Sequence, residues 1–155
     1  MPTTLTATSL RWVGVERTLG DEEIGQRIRE AGWAMLTVLE GNQPYAVPMA
    51  YGFDGRRFFV ACGPGRKRAA LETSPMVCLT IVDAPDESGA GGGYVLVLGR
   101  ATPLTSVFSR ARAGLLILLR FSRGGVPSLD ELRRMANGKV FRIEPHEVTG
   151  RAMPG

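Results

Sequence analysis

Along most of this chain the apolar positions fall into short runs separated by turn residues, a pattern of strands rather than of long helices. Residues 33–39 form the first run, and Gly41-Asn42 supplies a turn after it. Residues 45–53 predict a second strand. Pro48 within it requires an edge, a bulge or an outward-facing position, because proline has no N–H to donate. Asp54-Gly55 marks a hairpin, read as a two-residue type I′ turn that wants φ > 0, and it leads into a third strand over 57–61. A fourth strand covers 76–82. Residues 94–98 are almost continuously apolar, which predicts a strand buried on both faces and running on toward Thr102. The last strand is expected over 139–148, with Pro145 near its end.

Helical signals occupy the connections. Thr18 followed by Asp21, Glu22 and Glu23 predicts a helix start, Ile24, Ile28 and Ala31 keep helical spacing, and Gly32 is the expected stop. A short helix is expected over 65–73, ended by Pro75, and a longer one over 106–119. Ser128 with Glu131 forms a capping box for a further short helix. Residues 1–17 carry little periodicity and predict an arm, and the glycines after Ser88 predict a flexible loop over 83–93. Six hairpin-linked strands with a few short helices describe an α+β, mainly β fold, a small antiparallel barrel. At 155 residues, with no repeat and no clear linker, a single domain over 1–155 is the expectation.

Composition narrows the chemistry. His146 is the sole histidine, so no multi-histidine metal site and no histidine-pair acid/base scheme can be built. Cys62 and Cys78 do not form a C-x-x-C, which excludes zinc ribbons and thioredoxin-type redox motifs. Two isolated thiols without a signal peptide point to a reduced, cytoplasmic protein. A net charge of +4 invites an anionic partner. Nucleic acid is not favoured, since neither a basic helix nor an aromatic recognition strand accompanies the charge. The longest apolar run, 113–119, is far short of the ~20 residues a membrane-spanning helix needs.

The segment richest in chemistry is Ala61-Cys62-Gly63-Pro64-Gly65-Arg66-Lys67-Arg68. It leads from a strand end through a glycine-rich turn into the first turn of a helix, where free N–H groups and the positive end of the helix dipole meet. Three consecutive cations follow, two of them arginines with a fork suited to phosphate oxygens. Either this is a phosphate site or it is a solvated basic patch on an ordinary turn. It is neither a Walker loop nor a Rossmann fingerprint. Cys62, beside three cations, is a candidate for a lowered pKa and redox activity. Cys78, in an apolar strand, reads as core.

Taken in order, residues 33–39, then Pro44-Tyr45-Ala46-Val47-Pro48-Met49, Phe58-Phe59-Val60, Gly65-Arg66-Lys67 and Ser74-Pro75-Met76-Val77 resemble the pyridoxamine phosphate oxidase-like family of FMN-binding split barrels. The likeness is greatest to the short, nitroimidazole-resistance-like branch. It spans roughly residues 20–102, and Val140-Phe141-Arg142-Ile143 through Gly150 looks like that branch's last strand. The resemblance implies a six-stranded split β-barrel and a homodimer with two FMN molecules at the subunit interface. Carried over by position, Arg66 and Lys67 would hold the phosphate. Val47, Pro48 and Met49 would run beside the isoalloxazine ring, with Ala61 and Cys62 under the ribityl chain.

The sequence departs from that family in three places. Val60 stands where the nitroimidazole-resistance branch commonly has histidine. Nothing after His146 matches the Arg- and His-containing substrate clamp of true pyridoxamine phosphate oxidases, which argues against vitamin B6 oxidation. Residues 103–137 form a helical insertion carrying Arg110, Arg112, Arg120 and Arg123 around an apolar stretch; it is a lid, a basic amphipathic surface, or a helix packed on the barrel or across a dimer interface. The expected activity is that of a flavoprotein oxidoreductase passing electrons from a reduced nicotinamide to a small acceptor. A deazaflavin-dependent reductase of the same fold and a non-enzymatic flavin or haem binder are the alternatives.

Overall fold

The computed structural model describes residues 17–88, 91–121, 129–130 and 138–153. Eight strands, all paired antiparallel, form one curled sheet in the order β3-β2-β6-β7-β8-β5-β4, with β1 added alongside β8. In chain order these are β1 (Arg17–Thr18), α1 (Asp21–Glu30), β2 (Ala34–Glu40), β3 (Gln43–Met49), β4 (Gly52–Phe53), β5 (Phe58–Cys62), α2 (Arg66–Thr73), β6 (Met76–Asp83), β7 (Gly93–Pro103), α3 (Val107–Phe121) and β8 (Lys139–Ala152). This is the mainly β split barrel expected, with eight strands in place of six. The added strands are β1 and a division of the second run into β3 and β4.

That division is made by Tyr51. Its ring is fully buried among the core residues, stacked obliquely on Phe58 at 5.7 Å, and its hydroxyl donates to the Ile28 carbonyl at 2.5 Å. Turning this side chain inward ends β3 at Met49 and restarts the strand at Gly52. The hairpin at Asp54-Gly55 forms, but as a four-residue loop over 54–57 rather than a two-residue turn, since Phe53 pairs with Phe58. Asp54 explains the longer loop: its Oδ1 accepts from the N–H groups of Arg56 (2.9 Å) and Arg57 (2.7 Å).

Gly32 does not stop α1. The helix ends at Glu30, and Ala31 already has extended geometry. Its last carbonyls are taken instead by Arg120 of α3, whose Nη1 lies 2.7 Å from the Ile28 and Ala31 oxygens and 3.1 Å from that of Arg29. A cation on the negative end of a helix replaces the glycine cap.

β7 is not buried on both faces. Val95 and Val97 are fully buried, whereas Tyr94, Leu96 and Leu98 are half-buried on the outer face. Register places two rows of residues across this face, Pro48–Met35–Thr80–Leu96–Thr149 and Ala46–Thr37–Cys78–Leu98–Glu147. Cys78 thus lies on the outer face and not in the core. Pro145 is mid-strand: the register of β7 on β8 shifts between Leu98 and Gly99, so that His146 has no partner opposite it and β8 continues to Ala152. His146 is exposed at this bulge.

The main core fills the inside of the barrel, with Leu36, Val38, Phe58, Val60, Leu79, Ile81, Phe141 and Ile143 all essentially inaccessible. On the other side of β5 a second, smaller cluster joins Phe59 and Val140 to Ala113 and Ile117 of α3. The α3 part of the insertion therefore packs on the barrel. Gly52 allows the close approach, because a Cβ there would stand 2.9 Å from the Leu116 Cβ and 3.1 Å from the Ile117 amide nitrogen. Phe108, Leu115 and Leu119 of α3 remain exposed. Of the expected arm, residues 1–16 lie outside the described residues, while Arg17 is paired in β1 and ion-paired to Glu23 at 2.9 Å. The capping box at Ser128 and Glu131, and Arg123, also lie outside them. Among the described residues no helix is long and apolar enough to cross a membrane.

Candidate functional site

β5 ends at Cys62, whose side chain is buried in the main core, and Gly63-Pro64-Gly65 carry the chain outward to α2. Gly65 has φ 149° and ψ −170°, a backbone state that side chains resist. A Cβ placed on Gly63 or Gly65 would meet nothing within 4 Å, so the approach to the first turn of α2 is open. The first helical bond runs from the Ala69 N–H to the Gly65 carbonyl at 3.1 Å. The N–H groups of Arg66, Lys67 and Arg68 precede it; the N-cap, Gly65, has no side chain to cap them, none of the other described side chains does so, and the first turn holds no acid. Three free donors, the positive helix end and a glycine-lined opening make this a place where an anion is favoured.

The three cations of that turn have different surroundings. Arg66 donates its Nε to Glu40 at the end of β2, and its guanidinium lies 4.5 Å over the Tyr45 ring of β3. Arg68 pairs with Glu72 at 3.3 Å, and Glu72 also accepts from Lys139 at 2.7 Å. Hydrogen bonds from these two cations hold the Glu72 carboxyl below its ordinary range. Lys67 is half-buried and makes no ion pair among the described residues. Arg66 thus joins the start of α2 to the β2–β3 hairpin, through Glu40 and Tyr45 and not through Val47, Pro48 or Met49.

The individual residues are placed as follows. Val47 packs against the core from β3, and Met49 is buried in it. Pro48 is exposed on the opposite, outer face, and β3 is an edge strand, which is where a proline fits the sheet. Ala61 packs on the second cluster under α3, while its neighbour Cys62 points the other way into the core. The expected lowering of the Cys62 pKa does not occur. Burial pushes the thiol up to about 11, against the weaker pull of Lys67 and Arg68 in the other direction. Val60 is fully buried in the main core.

Comparison with known proteins fits this geometry. A family model described as pyridoxamine 5'-phosphate oxidase matches residues 20–152. The chain belongs to the pyridoxamine 5'-phosphate oxidase family. Solved structures of the same fold include a proposed 5-nitroimidazole antibiotic resistance protein from Bacteroides thetaiotaomicron, 20% identical, with a TM-score of 0.73 over 90% of this chain and 89% of that one. An FAD-binding protein from Mesorhizobium loti is 22% identical, with a TM-score of 0.69 over 89% of this chain and 96% of its own. A haem-storage protein from Vibrio cholerae is 18% identical, with a TM-score of 0.64 over 83% and 92%. No curated protein matches the chain in sequence.

Two residues at the site escaped sequence reasoning. Glu40 carries no motif, and Tyr45 was part of a motif without a role. Glu40 pairs with Gln43 at the hairpin end, a position any strand-ending acid could hold. That α2 begins beside it depends on how α2 packs its buried Ala70 and Leu71 into the core, which no local pattern expresses.

Proposed function

We propose that this family member binds FMN through the start of α2 and acts, as a homodimer, in electron transfer from a reduced nicotinamide to a small acceptor. The observation that carries the reading is the uncapped first turn of α2, with three free N–H groups, no acid, adjacent cations and an open glycine-lined approach. These features fit a phosphate monoester. Arg66 and Lys67 would hold it, the N–H groups would donate to its oxygens, and the edge of β3 at Val47, Pro48 and Met49 would border the ring. Bound FMN would supply the hydride chemistry; the chain's own contribution is position and electrostatics. Ala61 and Cys62 lie at the strand end that leads into the phosphate turn; on this reading their backbone lies along the path between ring and phosphate, since the Cys62 side chain is buried in the core.

Support for the dimer comes from the outer sheet face. Met35, Leu96 and Leu98 there are only half-buried, and Val82 and Met76 are exposed beside them. A second copy placed on this face would bury apolar surface and adjoin Pro48, which lies in the same row as Met35 and Leu96.

FMN and riboflavin titrations of the wild type and of Arg66→Ala/Lys67→Ala test the reading. The double variant should lose FMN affinity about tenfold or more, with riboflavin little changed, because only FMN carries the phosphate. Equal losses would move the phosphate site, and an unchanged flavin spectrum on titration would remove the flavin. Mass spectrometry of the released ligand separates FMN from a deazaflavin, which shares the phosphate chemistry. Bleaching by NAD(P)H separates an enzyme from a carrier.

A further inference from the structure

We propose that Glu40 is an internal competitor for the phosphate site, holding Arg66 until a doubly charged phosphate displaces it. This rests on the reading of α2 as the place where the phosphate binds. The Glu40 carboxylate sits on the Nε edge of the Arg66 guanidinium, an edge a phosphate oxygen would use. Tyr45, with its ring 4.5 Å from the same guanidinium, keeps the arginine over the β3 side of the helix start. Arg68 is engaged in the same way by Glu72. In the folded chain an incoming phosphate therefore meets the N–H groups and Lys67, which makes no ion pair among the described residues, first. It gains the Nε edge of Arg66 only by taking the place of Glu40.

The consequence is selectivity by charge. A ligand carboxylate has the same single charge as Glu40 and gains little by replacing it. A phosphate monoester carries about −1.5 to −2 at neutral pH and more acceptor oxygens, so it wins the exchange. Glu40 and Arg66 are both substantially exposed, with side chains 41% and 56% accessible. Solvent therefore screens the pair, and exposed ion pairs of this kind are worth about two- to fivefold in an equilibrium.

The experiment is a set of binding titrations read by flavin fluorescence, independent of turnover. Glu40→Gln should tighten FMN about two- to fivefold and leave riboflavin unchanged. Glu23→Gln, which removes one charge far along the chain where Glu23 pairs with Arg17, should change neither ligand. Adding Glu40→Gln to Arg66→Ala should give no further gain, because the competitor then has nothing to hold. Weaker FMN binding by Glu40→Gln would mean that Glu40 positions Arg66 for the phosphate, and would overturn the proposal while keeping the site. Unchanged FMN binding, or an equal gain for riboflavin, would also overturn it. If Arg66→Ala and Lys67→Ala leave the difference between FMN and riboflavin intact, the phosphate site itself is elsewhere and both readings fall.

Discussion

Replacing Arg120 by alanine should destabilise this protein more than any other change on α3. The side chain reaches from α3 to the carbonyl oxygens of Ile28, Arg29 and Ala31, and its guanidinium stacks 4.3 Å over the Tyr51 ring. One nitrogen has two hydrogens, so the two 2.7 Å contacts, to Ile28 and Ala31, count as full bonds and the longer ones share them. Charge-assisted bonds are worth about 1.5–3 kcal/mol each, and part of that returns when water reaches the freed carbonyls. A net loss of about 3 kcal/mol follows, which at this chain length lowers Tm by roughly 6–12 °C.

Thermal unfolding followed by circular dichroism measures this. Arg120→Lys should recover about half of the loss, since an ammonium can reach the carbonyls but cannot stack as a planar group. Amide exchange should rise at the end of α1 and along α3 together, because one side chain ties them. A melting temperature within a degree of the wild type for Arg120→Ala would refute the reasoning. It would mean that the carbonyls are equally well served by water and that α3 is held by Ala113 and Ile117 alone.

Three further outcomes are expected. The buried Cys62 thiol has its pKa raised from 9.0 to about 11, so the folded state holds its proton where the unfolded chain has lost it; stability should be unaffected below pH 9 and fall by roughly 2–3 kcal/mol as pH rises to 11, with Cys62→Ala abolishing that part of the alkaline loss in denaturant titrations. Val60→His places a polar ring among fully buried residues, so unfolding should cost about 1–3 kcal/mol less with no gain in nitro-aromatic reduction; a faster reduction at unchanged stability would show that the side chain reaches the reacting centre. Leu96→Arg, on the outer sheet face, should give a monomer by light scattering with its fold intact, and a variant that remains dimeric would move the interface off this face.

Most of the elements were legible because short apolar runs and turn residues report local geometry directly. The helix over 66–73 and the strands β2, β5, β6 and β7, the last with its continuation toward Thr102, lie within a residue or two of their expected bounds. What was not legible depended on distant groups. The end of α1 is decided by Arg120, which follows it by some ninety residues, so Gly32 was a reasonable but unused stop. The break after Met49 depends on Tyr51 finding the Ile28 carbonyl, and the length of β8 on a bulge at Pro145 that only pairing with Gly99 makes visible. For β7, an apolar run cannot tell a face covered by its own chain from one left open. At the site, the cations and glycines were apparent in sequence, but the Cys62 environment was not: three cations follow it closely along the chain, while the alternation of β5 turns its side chain into the core, where burial raises the thiol pKa.

The same alternation bears on how a flavin site can be built on this sheet. β3 pairs only with β2 among the described residues, so its other edge carries unpaired backbone groups, interrupted where Pro48 lacks an N–H. Tyr45, Val47 and Met49 face inward from this strand and Pro44, Ala46 and Pro48 face outward. Arg66 stacks on the inward member, Tyr45, whereas the two outer-face rows that carry Met35, Leu96 and Leu98 run through Pro48 and Ala46. On the proposed reading, a ligand anchored by its phosphate at α2 and extending along β3 would pass from the barrel's rim to the boundary of the outer face. There, one protomer offers only an edge and a proline. A second protomer on the outer face would supply the missing wall, so phosphate affinity and dimerisation should separate: Leu96→Arg should weaken FMN and riboflavin alike, while Arg66→Ala/Lys67→Ala should weaken FMN alone. A Leu96→Arg monomer that binds both flavins as tightly as the wild type would place the ring wholly within one chain.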